Sequence, residues 1–493
     1  MWRVRVHSFR LGTPSRAGDR RVSEQRTREP EAELGLLDAT MIGMGAMIGA
    51  GVFVLTGLAA EITGPAVILV FLLNGIVTGF TGLAYAELSS AIPKSGGGYA
   101  FVEEIFSDRI AFQMGWMLWF GYMIAGALYA LGFAANLIEW VHLYWPGFPD
   151  GAVGGGLTSW SVLYAFAVVA VLIVLNVVST AASGAAETVG TIIKVTILVV
   201  FSAFGAFAID TGAYTPVFPE GALSIIPAMG LTFIAFQGYD LISTVTEEVE
   251  NPRENIPKAI FFSLAGTIVV YLAVVTVSVG TLSAERLGAQ GETAIASAAG
   301  EFMPAIPVFG PGSTLIWFGA VFSTLTALNA VVIASSRVAF AMGRDRLFPA
   351  RVGRIHHRFG TPSVAVIASA TMMLASVVFL PIQLVGNLSS FFFLLAFVVV
   401  NAAVIKLRRE RPNMTRPYEM PLYPIPPILA IVSNVAIGGF LLVRDPLTGG
   451  LAVGWLALGA LTYAVIVRTG SRGESPTESP AGDGSPASND SEP

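Results

Sequence analysis

Two ionisable side chains interrupt long apolar runs in this 493-residue sequence. Lys194 lies in Thr191-Ile192-Ile193-Lys194-Val195-Thr196-Ile197-Leu198, and Asp240 closes Phe233-Ile234-Ala235-Phe236-Gln237-Gly238-Tyr239-Asp240. A charge in such surroundings is costly unless it is paired or used. Lys194 is a functional candidate on that ground. The plainer reading is a lysine that buries its stem and extends its ammonium to water, seven residues after Glu187. Asp240 is likewise a functional candidate, able to attract a cationic group, and its plainer reading is a position nearer an interface. Glu247, Glu248 and Glu250 read as a solvated helix end.

Bond-making chemistry has little to work with. The chain has no cysteine, and its four histidines (His7, His142, His356, His357) fall outside the apolar runs. Thiol catalysis and cysteine-ligated metals are thereby excluded. No enzyme activity, no metal and no cofactor is expected.

Backbone groups offer more. The stretch Ile42-Gly43-Met44-Gly45-Ala46-Met47-Ile48-Gly49-Ala50-Gly51-Val52-Phe53 has glycines at 43, 45 and 49. Their spacing is wrong for a dinucleotide-binding loop, and no soluble strand precedes them. One reading is close helix packing through small residues. The other is a helix broken at Gly49-Ala50-Gly51, whose exposed N–H groups and positive dipole end suit a carboxylate. Gln237 and Gly238 mark a matching break, where unwound carbonyls over residues 233–237 suit an ammonium group. Two breaks in corresponding places point to a site between them.

These groups need membrane-spanning elements to hold them. Apolar residues make up 54% of the chain and charged residues 12%, against about 25% charged in soluble domains; mean hydropathy is +0.70. Such a chain is solvated mostly by lipid. With about 20 residues needed per crossing, spans are expected at 36–60, 66–91, 110–141, 160–179, 186–209, 225–249, 257–282, 313–343, 363–381, 383–407, 425–443 and 449–468. The first 33 residues carry eight arginines and no apolar core, which argues against a cleaved signal peptide. They read as a basic cytoplasmic tail (1–33), followed by a transmembrane domain (34–469). Residues 470–493, rich in Ser, Pro, Gly, Asp and Glu, read as a disordered tail.

Basic residues set the expected orientation. Eight lie in the first tail, two in 92–109, two in 250–258, five in 344–358, five from Lys406 to Arg416 and two after the last span, making 24 on one side. Arg286 and Arg444 are the two on the other, with Lys194 and Arg337 inside spans. Both termini are therefore expected in the cytoplasm.

The segment Phe233–Ile256, ending Thr246-Glu247-Glu248-Val249-Glu250-Asn251-Pro252-Arg253-Glu254-Asn255-Ile256-Pro257, resembles the sixth-helix signature of amino acid–polyamine–organocation permeases. Ile48-Gly49-Ala50-Gly51-Val52-Phe53-Val54-Leu55-Thr56-Gly57 resembles their first-helix signature. Tyr85-Ala86-Glu87-Leu88 with the glycine-rich loop to Tyr99, and Leu328-Asn329-Ala330 through Ser335-Ser336-Arg337 to Arg344-Asp345, add to the likeness, which covers residues 34–468. The branch resembled is that of the cationic amino acid transporters.

The resemblance implies an all-α polytopic fold. Helices 1–5 (36–210) and 6–10 (225–408) would form an inverted five-plus-five repeat of the leucine-transporter kind, with helices 11–12 (424–468) appended. It implies that a substrate carboxylate meets N–H groups near Ala50 and Gly51, within the stretch Met47, Ile48, Gly49, Ala50 and Gly51. The α-amine would meet carbonyls of Met47 and of Phe233, Ala235 and Phe236, with Gln237 and Gly238 completing the second break and Phe236 covering the site. Many relatives carry serine where Ala50 stands, so a hydroxyl contact is missing here. Asp240 sits where some relatives hold an acidic gate. Lys194 matches a helix on which proton-coupled members can hold a lysine, its amine standing where sodium-coupled relatives bind a cation.

The implied function is secondary active amino acid transport at the plasma membrane, by proton-coupled uptake and alternating access. Alternatives are an amino acid or polyamine exchanger, or a transporter-like sensor. The expected partners are a small amino acid, the proton and the lipid bilayer, and no nucleic acid.

Overall fold

The computed structural model describes residues 34–470, apart from 95, 152, 154–158, 179–183, 306–309 and 357–358. The tails expected at 1–33 and beyond 470 therefore lie outside the described residues. The described elements are helices: α1 (Leu36–Met47), α2 (Ala50–Thr63), α3 (Val67–Ala91), α4 (Gly97–Ile105), α5 (Asp108–His142), α6 (Trp160–Val178), α7 (Gly184–Gly205) and α8 (Ile225–Thr232). Two 3₁₀ segments, Phe233–Phe236 and Tyr239–Glu248, precede α9 (Pro252–Leu282), α10 (Ala284–Gln290), α11 (Ala294–Phe302), α12 (Ser313–Arg344), α13 (Ser363–Phe379), α14 (Ile382–Glu410), α15 (Ile425–Arg444) and α16 (Pro446–Gly470).

Among the described residues, ten helical stretches are long and apolar enough to cross a membrane. One of them, Leu36–Ala91, is 56 residues long, about 84 Å at helical rise, nearly three hydrocarbon thicknesses. It is interrupted at Gly64 (φ +66) and Pro65, which divides it into two passes. The 17-residue apolar helix α13 brings the crossings to twelve.

Several span ends shift from the sequence reading. The seventh span starts at Pro252, not 257, because proline at the first helical position loses no hydrogen bond. The twelfth starts at Pro446, capped by Asp445. His142 is the last residue of the third span rather than a loop residue.

Elements in equivalent places of the two halves pack on each other: α3 on α9, α5 on α12 and α6 on α13. The central column is α5 with α12, and α5 is buried along most of its length. In the two interrupted spans, α1 lies against Tyr239–Glu248 while α2 lies against α8. The first half of one therefore meets the second half of the other, and the two run antiparallel, as an inverted repeat requires. α6, α7, α15 and α16 turn apolar side chains such as Val174, Val189, Val432 and Leu461 outward, where lipid solvates them.

Two ties fix the ends. Leu34 donates its N–H to Glu248 O and accepts from Glu250 N–H, joining the start of α1 to the end of the sixth span. Glu87, fully buried on α3, accepts two 2.7 Å hydrogen bonds from Arg408 of α14 and a third from Met420 N–H. Those three donors answer the desolvation of the carboxylate.

Candidate functional site

The first break covers two residues. α1 stops at Met47, Ile48 (φ −77, ψ 66) and Gly49 (φ −107, ψ −131) leave helical geometry, and α2 resumes at Ala50. The carbonyls left behind need new donors. Gly49 N–H turns to Met47 O instead of Gly45 O, and Lys194 Nζ occupies Gly45 O at 2.8 Å. Tyr271 donates to Met47 O, and Ser323 of α12 donates to Ile48 O. At the start of α2 Gly49 has no side chain to cap the N–H groups of Ala50 and Gly51, so they stand as ready donors at the positive end of a helix.

The second break is seated on the first. After the 3₁₀ turn Phe233–Phe236, Gln237 is extended (φ −78, ψ 136) and Gly238 takes φ +144. The fully unwound backbone is thus Gln237–Gly238, narrower than the 233–237 stretch expected, because the 3₁₀ turn keeps Gln237 N–H on Ile234 O. A β-carbon on Gly238 would stand 2.6 Å from Met47 N, and one on Gly51 would stand 2.5 Å from Ala235 Cβ and 2.6 Å from its Cα. Both glycines exist for backbone-to-backbone approach.

Asp240 shapes this break from within. Its carboxylate accepts Tyr122 Oη–H at 2.6 Å, Gly238 N–H at 2.9 Å and Gln237 Nε2–H at 3.1 Å. It is buried among these partners.

Tyr271 of α9 joins the two breaks. Its hydroxyl faces Met47 O and, at 3.0 Å, Ala235 O. One hydroxyl hydrogen serves two carbonyl acceptors, so the pair retains capacity for a richer donor. The ring packs edge-on against Phe236 at 5.2 Å and Phe71 at 5.7 Å. Met47, Ile48, Ala50, Phe233, Ala235, Phe236 and Gln237 are all buried around this point.

Lys194 is fully buried and points inward. Its ammonium meets Gly45 O and, at 3.1 Å, Thr326 Oγ1, with Glu187 Oε1 at 4.0 Å. A snorkelling lysine would carry that ammonium toward water, so that reading fails. Beside it a cavity of about 120 Å³, lined by Ala46, Glu187, Leu241, Asn329 and Arg337, has room for a few waters.

The structure thus brings the two glycine breaks, Lys194 and Asp240 into one buried region. Tyr271, Ser323, Thr326 and Tyr122 belong to it too and were not singled out from the sequence. Their one signal was a hydroxyl in an apolar span, as in Val269-Val270-Tyr271-Leu272. Among the described residues no His, Cys, Asp and Glu side chains gather as a metal-binding group.

Residues 34–467 match the family described as amino acid permease. The chain is 30% identical over 454 residues to the branched-chain amino acid permease BcaP of Bacillus subtilis (strain 168), covering 89% of this chain and 94% of that one. It is 29% identical over 450 residues to the methylthioribose transporter of the same organism, covering 90% and 95%. It is 30% identical over 430 residues to the serine/threonine exchanger SteT, also from that organism, covering 85% and 93%.

Proposed function

Since the chain belongs to the amino acid permease family, and is a multi-pass membrane transporter rather than an enzyme, we propose that it performs proton-coupled uptake of a neutral amino acid by alternating access. The observation that carries the coupling is the buried Lys194 ammonium on Gly45 O, one turn before the first helix break.

In this reading the substrate carboxylate takes the uncapped N–H groups of Ala50 and Gly51. The α-ammonium, with three hydrogens, displaces the single Tyr271 hydroxyl hydrogen from Met47 O and Ala235 O. The walls left for the side chain are Ala50, Ala235 and Phe236, which suits an apolar group. Asp240 is already engaged by Tyr122, Gln237 and Gly238, which argues against a role in holding a cationic side chain. The branched-chain substrate in the name of one relative agrees with this choice.

Protonated Lys194 stabilises the arrangement in which α1 presents Gly45 O to it. Loss of the proton weakens that bond and the attraction to Glu187, and favours the other arrangement of the half-helices. A proton biases the equilibrium only through this differential affinity. The surplus of basic residues on one side supports cytoplasmic termini in the plasma membrane.

Proteoliposomes with an imposed pH gradient test the proposal. Lys194→Ala should abolish uphill uptake while equilibrium binding and substrate exchange persist, and sodium should be unnecessary for the parent protein. Uphill accumulation by Lys194→Ala with unchanged pH dependence would place the coupling elsewhere.

A further inference from the structure

A cavity of about 610 Å³ opens between the end of α14 and the start of α15, remote from the helix breaks. Three guanidinium groups line it, from Arg408, Arg409 and Arg416, together with Tyr423, Pro424 and Ile428, and no acid is among its walls.

Two of the arginines are held in place from behind. Arg408 gives Nε–H and an Nη2 hydrogen to buried Glu87, and its guanidinium lies 4.2 Å from the centre of the Tyr423 ring. Arg416 donates to the carbonyls of Arg411 and Pro412, and its buried Nε–H makes no hydrogen bond but stands 3.8 Å from Glu87 Oε1. Arg409 is exposed, with no side-chain partner among the described residues. Glu87 is consumed on the far side, and Glu419, 3.7 Å from Arg416, is 60% exposed and largely screened. Positioned guanidinium donors of this kind match the oxygens of a phosphate.

The pocket also sits at the end of a lipid-facing stripe. Ile425, Ile428, Leu429, Val432 and Val435 are between 42% and 59% exposed and fall at helical spacing on one face of α15. A phosphate bound among the arginines would have apolar surface running from it into the hydrocarbon. We propose that this pocket is a binding site for an anionic phospholipid, with its phosphodiester headgroup among Arg408, Arg409 and Arg416 and an acyl chain along α15. Basic pockets between transmembrane helices are suited to such headgroups. The proposal is independent of the transport mechanism and of which way round the chain is inserted.

Native mass spectrometry of the purified full chain, delipidated and then offered equal phosphatidylglycerol and phosphatidylcholine, tests it. The parent protein should retain phosphatidylglycerol in preference. Arg409→Gln should weaken that retention about fivefold, the weight of one basic side chain near an anionic surface. Arg351→Gln, an equal charge loss at an exposed position in another loop, should leave it unchanged. Equal retention of the two lipids, or an equal loss in both variants, would overturn the site in favour of diffuse attraction. Glycerol 3-phosphate should neither compete nor raise the melting temperature. If it does both as well as the lipid, the pocket takes a soluble phosphate and the lipid assignment falls.

Discussion

Tyr271 carries the sharpest consequence at the scale of single residues. Its hydroxyl covers the two carbonyls that the proposed mechanism reserves for the substrate ammonium. Tyr271→Phe leaves both without that donor, and an unsatisfied buried acceptor costs roughly 1–3 kcal/mol. That cost falls on the empty state, because a bound ammonium would restore the hydrogen bonds. Substrate affinity should therefore rise, by up to about tenfold for 1.4 kcal/mol, while the melting temperature of the ligand-free protein falls. Binding and thermal unfolding can be measured on the same sample, and unchanged or weaker binding would mean that the hydroxyl is not displaced. Lys194 was legible in the sequence because a charge stands out in an apolar run. Tyr271 was not, since its two acceptors lie 224 and 36 residues away and nothing in local spacing announces such a contact. The same holds for Ser323 on Ile48 O, 275 residues apart.

Breaks and caps govern the elements. Gly51 meets the Ala235 α-carbon as well as its methyl, so the contact is between backbones. Gly51→Ala should weaken substrate binding at least tenfold, and adding Ala235→Gly should not restore it, because the α-carbon remains in the way. Full rescue by the double variant would show that only the methyl matters. A second element-scale prediction concerns the start of α16. Asp445 accepts from Leu447 N–H, Thr448 N–H, Thr448 Oγ1–H and Asn387 Nδ2–H, making it the cap of that helix and its tie to α14. Partial burial pushes the Asp445 carboxyl up, but the hydrogen bonds from Thr448, Asn387 and Leu447 together outweigh it and hold the group below its ordinary value. A depressed folded value means that the stabilisation is present above the unfolded pKa near 3.9 and is lost as pH falls through the lower folded one. Asp445→Ala should cost about 1 kcal/mol at neutral pH, seen as a lower melting temperature in detergent. The penalty should shrink below about pH 4, and a penalty that is flat across that range would rule out the charged cap. Glycine composition made the two breaks legible. Their exact extent was not, because the 3₁₀ turn at Phe233–Phe236 depends on what packs around it.

Across the whole molecule, hydropathy marks most of the crossings, since every span must present apolar surface to lipid or to its neighbours regardless of its partners, and the interruption at Gly64-Pro65 with the short helix α13 completes the twelve. The pairing of α3 with α9 and α5 with α12 is not visible that way, because equivalent helices in the two halves share a position in the repeat rather than a local pattern. Orientation is different again: it rests on loop charge, 24 basic residues against two. The chain has no cysteine, so single thiols can test that reading without background. Glu220, exposed in the connection before α8, and Ile355, 60% exposed in the connection after α12, fall on opposite sides. Glu220→Cys should react with a membrane-impermeant maleimide on intact cells, and Ile355→Cys should react only after the membrane is opened. Both sites are loop positions with accessible side chains, so neither substitution should disturb packing, and retained uptake would verify this. Labelling in the reverse order would invert the proposed topology, while the direction of coupled transport would still follow the proton gradient. Labelling of both in intact cells would mean that the helices between them cross an odd number of times fewer than proposed. An odd deficit would leave an unpaired span in the second half, and the inverted repeat itself would have to be given up.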